Sequence, residues 1–596
     1  MSSRKLIVLS TLTLFLGACA TTLQKPDQFT RGDYISTEAY ISWLIEKNMN
    51  DRDITGLSIA LVDDQKIVWA RGFGYADVQN KVPASAATVY RLGSISKVFT
   101  AMATMQLAER HKLDIDQPLK TYLPDFSVET RFPGSGPITP RNIMTHHSGL
   151  PGNFMSGMWV ANPQPFTDVV HEIKGEFVAY PPNTIFAYSN LGVTLLGNAI
   201  EQVSQEHYAD YMNHHLLQPM GMVHSSFTAK PDASLMSKAY KKGKEAVETP
   251  LRDVPAGGLN SSVEDMGRFM ETIFADGKSG HDRIVGQETL AEMLRPQNED
   301  IPLDLNFRVG LGWILGGLGG IDVQNAGPVA HHSGGTENFM SQMVILPQQK
   351  LGVIVLANSA SGAQVVSEIA TQALKLALEA KTGIKQPEKE KVALDPSPLT
   401  LDILKEYAGD YATMVGAAKI EDDSTGLHAL ALGRTFQLVH HADGKFSLRY
   451  RMLGFISIGL GNLEDIEFSR TTLEGREILV GSTNHQAMLV GERIQPVPIP
   501  KTWLDRVGEW QVINSQNSPM VPEMMTLQLE DGLMIATTRY SEPEKQTRMI
   551  ILPLSDNQAV IAGLGSGMGE TIRIERSGTG ETGWFEGLEL KRIEKQ

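Results

Sequence analysis

The sequence holds one cysteine in 596 residues, a single long apolar run, and fewer basic than acidic side chains. Each shortage closes a class of function. The lone Cys19 has no partner for a disulfide and cannot build a thiolate zinc site, since either takes two or more cysteines. With 53 Lys+Arg against 68 Asp+Glu and a formal net charge of −15, the chain lacks the basic surplus that phosphate backbones select, which excludes a nucleic-acid partner. The one apolar run stands at the N-terminus, so a multi-spanning membrane protein is excluded too. What is present is 42% apolar residues, enough for buried cores. At roughly 150 residues per domain, the length suits about three or four units.

The apolar run, Leu6 to Leu16, follows Arg4 and Lys5 and ends in Leu16-Gly17-Ala18-Cys19. A basic start, an apolar stretch too short to span and small residues behind it describe a secretory signal peptide over residues 1–18. Leu-Gly-Ala-Cys resembles a bacterial lipobox, which implies cleavage before Cys19, lipidation of its thiol and new amino group, and a tether over 19–34. Ala20 in place of Asp is what that resemblance associates with the outer membrane. The expected location is therefore the bacterial cell envelope, lipid-anchored in the membrane on the periplasmic face of the outer membrane. A stray Cys inside a discarded leader is the alternative. A mature body without further Cys suits an oxidising compartment.

After the tether, Gly56 to Val62 and Lys66 to Arg71 are apolar-rich runs around Asp63-Asp64-Gln65, the signal of a β-hairpin. From Ser96 to Lys112 apolar residues recur at Val98, Met102, Met105 and Leu107 without Gly or Pro, which predicts a helix. A further helix is predicted over Leu191–His215, a strand pair over Met343–Leu346 and Leu351–Leu356, and a closing helix over Ala363–Lys381. Strands at both ends with helices between them give an α/β domain over 35–380. Residues 381–399 are charged, proline-bearing and aperiodic, and read as a linker. Beyond them, short alternating runs such as Gly426–Leu432 and Met525–Leu529 predict all-β structure. Leu404-Lys-Glu-Tyr-Ala-Gly-Asp-Tyr411 is echoed by Leu504-Asp-Arg-Val-Gly-Glu-Trp510. The echo favours two tandem β-barrel-like domains, 400–498 and 499–596, over one larger barrel.

Ser94-Ile95-Ser96-Lys97 is an S-x-x-K string. At a helix start its i, i+3 spacing puts Lys97 one turn from the hydroxyl on the same face. A serine hydroxyl is a poor nucleophile until a base takes its proton, and a buried lysine can be that base. The string alone is common: Ser2 to Lys5 repeats it in the leader. Tyr188-Ser189-Asn190 adds a phenol whose pKa a nearby ammonium would lower, and an amide able to hold both Lys97 and a substrate carbonyl. Tyr211-Met212-Asn213 has the same spacing in an ordinary amphipathic pattern. His332-Ser333-Gly334-Gly335 opens a strand pattern, and His147-Ser148-Gly149 repeats its character in a loop.

Together and in this order, the three strings resemble the serine β-lactamase-like superfamily: class C β-lactamases, penicillin-binding D,D-peptidases, D-aminopeptidases and related esterases. Tyr122-Leu-Pro124, Ile138 to Pro151, Pro219 to Met222, Gly257-Gly-Leu259 with Glu264-Asp265, and Gly310-Leu-Gly-Trp313 carry the resemblance further. It implies a β-lactamase-like α/β fold, an antiparallel sheet flanked by helices. It also implies Ser94 as acylated nucleophile, Lys97 and Tyr188 as the acid/base pair, and Asn190, His332 and Gly334 as substrate-binding residues. Gly334 would let the strand come close to substrate, and the backbone N–H groups of Ser94 and Gly335 would form the oxyanion hole. His332 falls where the third motif often has Lys, which favours peptidases over a dedicated β-lactamase. The class A deacylating Glu has no counterpart, so deacylation would run through Tyr188 and Lys97. The all-β half resembles barrel domains appended to some D-aminopeptidases, which limit access to the active site.

The expected function is a serine hydrolase without a cofactor, acting through a Ser94 acyl-enzyme on amide or ester bonds. Peptides of D-amino-acid-containing or cell-wall type are the favoured substrates, with small esters or a β-lactam as alternatives. The alternative of another class is an inactive, lipid-tethered envelope-binding module. No residue pattern speaks to oligomeric state. The adjacent pairs His146-His147, His214-His215, His331-His332 and His440-His441 lack an H-E-x-x-H helix context, so no metal is expected. Gly316 to Gly320 lacks a phosphate-loop Lys and reads as a turn, and Asp265 reads as a helix-start residue.

Overall fold

The computed structural model describes residues 25–593 apart from 27–28, 232–235, 317–320, 388–395, 424–425, 453–455, 459–465, 484–485, 517, 543–544 and 578–579. The signal peptide and Cys19 lie outside the described residues, as does most of the Gly316–Gly320 turn.

The hairpin forms as expected. Strand β1 (Gly56–Asp63) pairs with β2 (Lys66–Asp77), Leu57 opposite Phe73 and Asp63 opposite Lys66. On its other side β1 pairs with a strand from the far end of the domain. With β3 (Val82–Pro83), β4 (Ala330–Gly335), β5 (Met340–Leu346) and β6 (Leu351–Ala357), the antiparallel sheet has the order β4-β5-β6-β1-β2-β3. Leu57 faces Ala357 and Asp63 faces Leu351.

Both faces of this sheet are covered, which is why β1 reads as a continuous apolar run rather than an alternating one. Leu57, Ile59 and Leu61 pack into a core with helices α1 (Ile35–Asp51) and α5 (Ala363–Thr382). Ala60 and Val62 face the opposite way, into a larger core with α2 (Ser96–Glu109), α3 (Asn190–Ser204) and α4 (Val263–Phe274). Truncating a fully buried residue such as Leu61 to Ala would cost about 2–5 kcal/mol. Asp265 sits in the first turn of α4, where its N–H meets the capping Ser262 hydroxyl and its carboxylate accepts from His224 N and Ser225 Oγ.

The long helix expected over Leu191–His215 is broken. It stops at Ser204, with Gln205 in the left-handed region at φ 62°, and resumes as Tyr208–Met212 and a wider turn over Asn213–Leu217. Ser204 to His207 offers no apolar side chain to bury, so continuing the helix there gains nothing. Glu201 instead caps the restart, accepting from Tyr208 N at 2.9 Å.

Two closed eight-stranded barrels follow. The first runs from Gly409–Thr413 to Ala487–Ile494 and closes where Asp410 faces Ile494, with a short extra strand, Ile456–Ile458, on its flank. The second runs from Gly508–Val512 to Leu588–Arg592 and closes where Trp510 faces Arg592. The sequence echo is structural: each barrel is entered by a short helix and then a glycine at positive φ, Gly409 (148°) and Gly508 (140°). The core of the second barrel, with Trp503, Trp510 and Met534, is continuous with Ala179, Tyr180, Ile185 and Ala187 of the first domain. That shared core brings the barrel to the edge of the site described next.

Candidate active site

Ser94 lies in a short 3-10 turn, Gly93–Ile95, that feeds directly into α2. The turn is held against β4: Gly93 has φ +53°, and a Cβ there would lie 2.7 Å from Gly335 O and 2.8 Å from Gly335 N. Ser96 ties it to the rest of the domain, donating to Gly93 O at 2.6 Å and accepting from Leu259 N at 2.9 Å. Lys97, one turn on, is 2% exposed. Its Nζ donates to Ser94 Oγ at 3.2 Å, Asn190 Oδ1 at 2.7 Å and Ala256 O at 2.7 Å. Burial pushes the amine down to about 7, with the Asp253 carboxylate partly opposing the fall. Its place at a helix N-terminus acts in the same direction, because the helix dipole disfavours a cation there.

Tyr188 and Asn190 arrive on the chain entering α3. Ser189 caps that helix, accepting from Gly192 N at 2.9 Å and donating to Pro151 O at 2.6 Å. The cap turns Tyr188 out of the helix and Asn190 into it. The Tyr188 hydroxyl is hydrogen-bonded to Ser94, and Lys97 Nζ stands 4.8 Å from the centre of the phenol ring. The nearby lysine was expected to lower the Tyr188 pKa; it is raised instead, because burial penalises the phenolate and outweighs the Ser94 hydrogen bond. Tyr188 is thus neutral, and Lys97 is the group of this cluster brought close to neutral pH.

His332 lies on β4, buried, its ring 6.5 Å from that of Tyr188. Burial, together with Lys97, holds its pKa down to about 3, so the imidazole is neutral. Nδ1 stands 2.6 Å from Ser333 O, a contact that assigns it the proton and leaves Nε2 an acceptor. Gly334 has a packing reason for being glycine. A Cβ there would lie 1.9 Å from Leu92 O and 2.5 Å from Ser341 Oγ, so its bareness lets β4 pack on the segment before the Ser94 turn. Gly335, the next residue, is exposed.

A serine, a buried amine and a phenol converge at this turn. A family model described as Beta-lactamase matches residues 42–378, more than half of the chain. The chain belongs to the Beta-lactamase family. "Protein flp" of Staphylococcus aureus (strain NCTC 8325 / PS 47) is 27% identical over 333 residues, covering 54% of this chain and 63% of its own length. The match therefore spans less than two thirds of that relative. "Beta-lactamase-like protein 2" of Dictyostelium discoideum is 23% identical over 465 residues, 71% of this chain and 81% of its own. Among solved structures, SurE shares the fold at a TM-score of 0.54 and 21% identity, over 77% of this chain and 99% of SurE. The octameric penicillin-binding protein homologue from Pyrococcus abyssi does so at 0.50 and 24%, over 76% and 100%.

Sequence reasoning missed several contacts of this Beta-lactamase-family site. His146 lays its ring 4.2 Å from that of Tyr188, and its Nδ1 accepts from Ser189 N at 3.1 Å. In the sequence it stands as half of a histidine pair, and its neighbour His147 points elsewhere, to Asp304 at 2.7 Å. Asn153 Oδ1 accepts from Asn190 Nδ2 at 2.8 Å. The second barrel reaches the site as well: Ser566 Oγ accepts from Tyr188 N at 2.9 Å, and Glu570 Oε1 from Gly152 N at 2.9 Å. A backbone partner leaves no residue-type signal, and none could link residues almost four hundred positions apart.

Proposed function

We propose that this Beta-lactamase-family protein is a serine hydrolase that cleaves amide or ester bonds through a Ser94 acyl-enzyme. The observation that carries the reading is the Lys97 amine, within 3.2 Å of Ser94 Oγ and with its pKa near 7. Neutral Lys97 takes the Ser94 proton as Oγ attacks the carbonyl carbon. The tetrahedral oxyanion is received by the N–H groups of Ser94 and Gly335, each worth about 3–4 kcal/mol as an oxyanion donor. Tyr188 passes its proton to the leaving nitrogen or oxygen and recovers one from the Lys97 ammonium, so the C–N or C–O bond breaks with charge balanced. Water then attacks the acyl-enzyme, its proton taken by the same pair, and Ser94 leaves re-protonated.

The favoured substrates are peptides containing D-amino acids or of cell-wall type, or small esters, ahead of β-lactams. His332 weighs against β-lactams in this choice, since a neutral imidazole offers their carboxylate no positive charge. The leader residues support a lipid-anchored location in the cell envelope through Cys19. Substituting Cys19→Ala should then shift the protein from the membrane to the soluble fraction. The activity reading is tested by the intact mass of purified protein, residues 20–596, with benzylpenicillin and with a small activated ester. Acylation at Ser94 that disappears in Ser94→Ala, with the melting curve unchanged, is the expected result. Turnover retained in Ser94→Ala would overturn it.

A further inference from the structure

The second barrel contributes more than a wall. Two of its carboxyl groups, Glu570 and Glu586, are 3% and 8% exposed and meet each other where the barrel docks on the first domain. Around them are Glu176, ion-paired to Arg573 at 3.4 Å, the buried phenol of Tyr180 and the half-buried phenol of Tyr540. Such a pair is costly unless one member keeps a proton and gives it to the other. The two are fixed on the loop that carries Asn153: Gly152 N donates to Glu570 Oε1 at 2.9 Å, and Met155 N donates to Glu586 O at 2.8 Å. The Asn153 side chain is hydrogen-bonded to the Glu586 carboxyl.

From there the contacts run inward without a break. Asn153 Oδ1 accepts from Asn190 Nδ2 at 2.8 Å, and Asn190 Oδ1 accepts from Lys97 Nζ at 2.7 Å. An amide can be flipped, exchanging its donor and acceptor ends. The polarity of this chain is set at the carboxyl end, where Glu586 presents an acceptor to the Asn153 NH₂ group. That leaves Asn153 Oδ1 to face Asn190, and Asn190 Oδ1 to face Lys97. We propose that Glu586, paired with Glu570, is a positioning residue for Lys97, acting through Asn153 and Asn190 so that catalysis depends on the docked second barrel. The inference rests on the serine-hydrolase reading above.

Without the acceptor, the Asn190 amide no longer holds the Lys97 ammonium, which faces Asp253, His146, His332 and Tyr188 on its other sides. The charged form then loses support. The Lys97 pKa falls, and the amine loses its alignment on Ser94.

The experiment uses the full protein and a fluorophosphonate probe, with the labelling rate of Ser94 followed by intact mass from pH 5 to 9. Glu586→Leu and Asn153→Ala are expected to label about 10- to 100-fold more slowly, the range a small misplacement of a catalytic group produces. Their rising pH limb should move to lower pH. Glu586→Gln keeps an acceptor toward Asn153 and a donor toward Glu570, and should recover most of the loss. Asn153→Ala reads the relay even where Glu586→Leu fails to fold. A folded Asn153→Ala with the wild-type rate, or slowed with an unmoved limb, overturns the proposal, as does a Glu586→Gln as slow as Glu586→Leu. A wild-type protein that is not labelled at Ser94 fails earlier, at the serine-hydrolase reading itself.

Discussion

The backbone N–H of Tyr188 donates to Ser566 Oγ at 2.9 Å, so the phenol beside Ser94 hangs from a segment that the second barrel holds. Ser566→Ala removes that acceptor and nothing else of the site. The expected loss in kcat/KM is about fivefold, since one such hydrogen bond contributes about 1 kcal/mol. Ester hydrolysis by the variant at constant melting temperature checks it.

The pH profile follows from the two titrating groups. In the proposed mechanism Lys97 acts as the neutral amine, so kcat/KM should rise with pH through about 7 and level off above it. Tyr188 has its pKa raised by burial, so it adds no falling limb before about pH 10, the ordinary tyrosine value. Lys97→Arg keeps a cation that never deprotonates and should lose on the order of 10²–10⁴-fold at every pH. Rates that stay flat from pH 6 to 8.5 in the wild type would remove Lys97 from the role of base.

His332 offers a test of substrate choice. His332→Lys replaces a neutral acceptor with a flexible cation on the same strand. Acylation by benzylpenicillin, which carries a carboxylate, should increase relative to that by an uncharged ester. The added charge should also lower the Lys97 pKa and move the rising limb to lower pH. Equal effects on both substrates would show that position 332 does not meet the carboxylate.

Gly334→Ala should be damaging through packing alone. Its Cβ would fall 1.9 Å from Leu92 O, two residues before the nucleophile. Overpacking of this kind costs about 3 kcal/mol, and here the strain falls on the contact between β4 and the Ser94 turn. Differential scanning fluorimetry should show a lower melting temperature, and fluorophosphonate labelling a slower rate in the surviving folded fraction.

The elements that local pattern defines were legible from sequence: the β1–β2 hairpin, the helix behind Ser94, the strand pair at 340–357 and the helix after it. The tandem barrels were legible through one echo, because each barrel needs the same helix-to-strand entry. The helix after Tyr188 was overextended, since an amphipathic pattern on both sides of Ser204 hides a break decided by one left-handed residue. Ser94, Lys97, Tyr188 and Asn190 were singled out because their chemistry is carried by residue type, and the fold brings them together. The Tyr188 pKa was misjudged because sequence shows a neighbouring charge but not burial. Ser566, Glu570 and Glu586 were invisible for a related reason: they meet the first domain only once the second barrel has docked, as Asn153 meets Asn190 only once its loop has folded.

The central strand β1 finds its β6 partner only when Leu57 meets Ala357, and Tyr188 finds its support only at Ser566. At synthesis rates of about 5–20 residues per second, the nucleophile and its lysine precede that support by tens of seconds. A nascent chain thus carries Ser94 and Lys97 while the barrel segment that holds the backbone of Tyr188 is still unmade. The docked second barrel is the last part of the site's surroundings to be made.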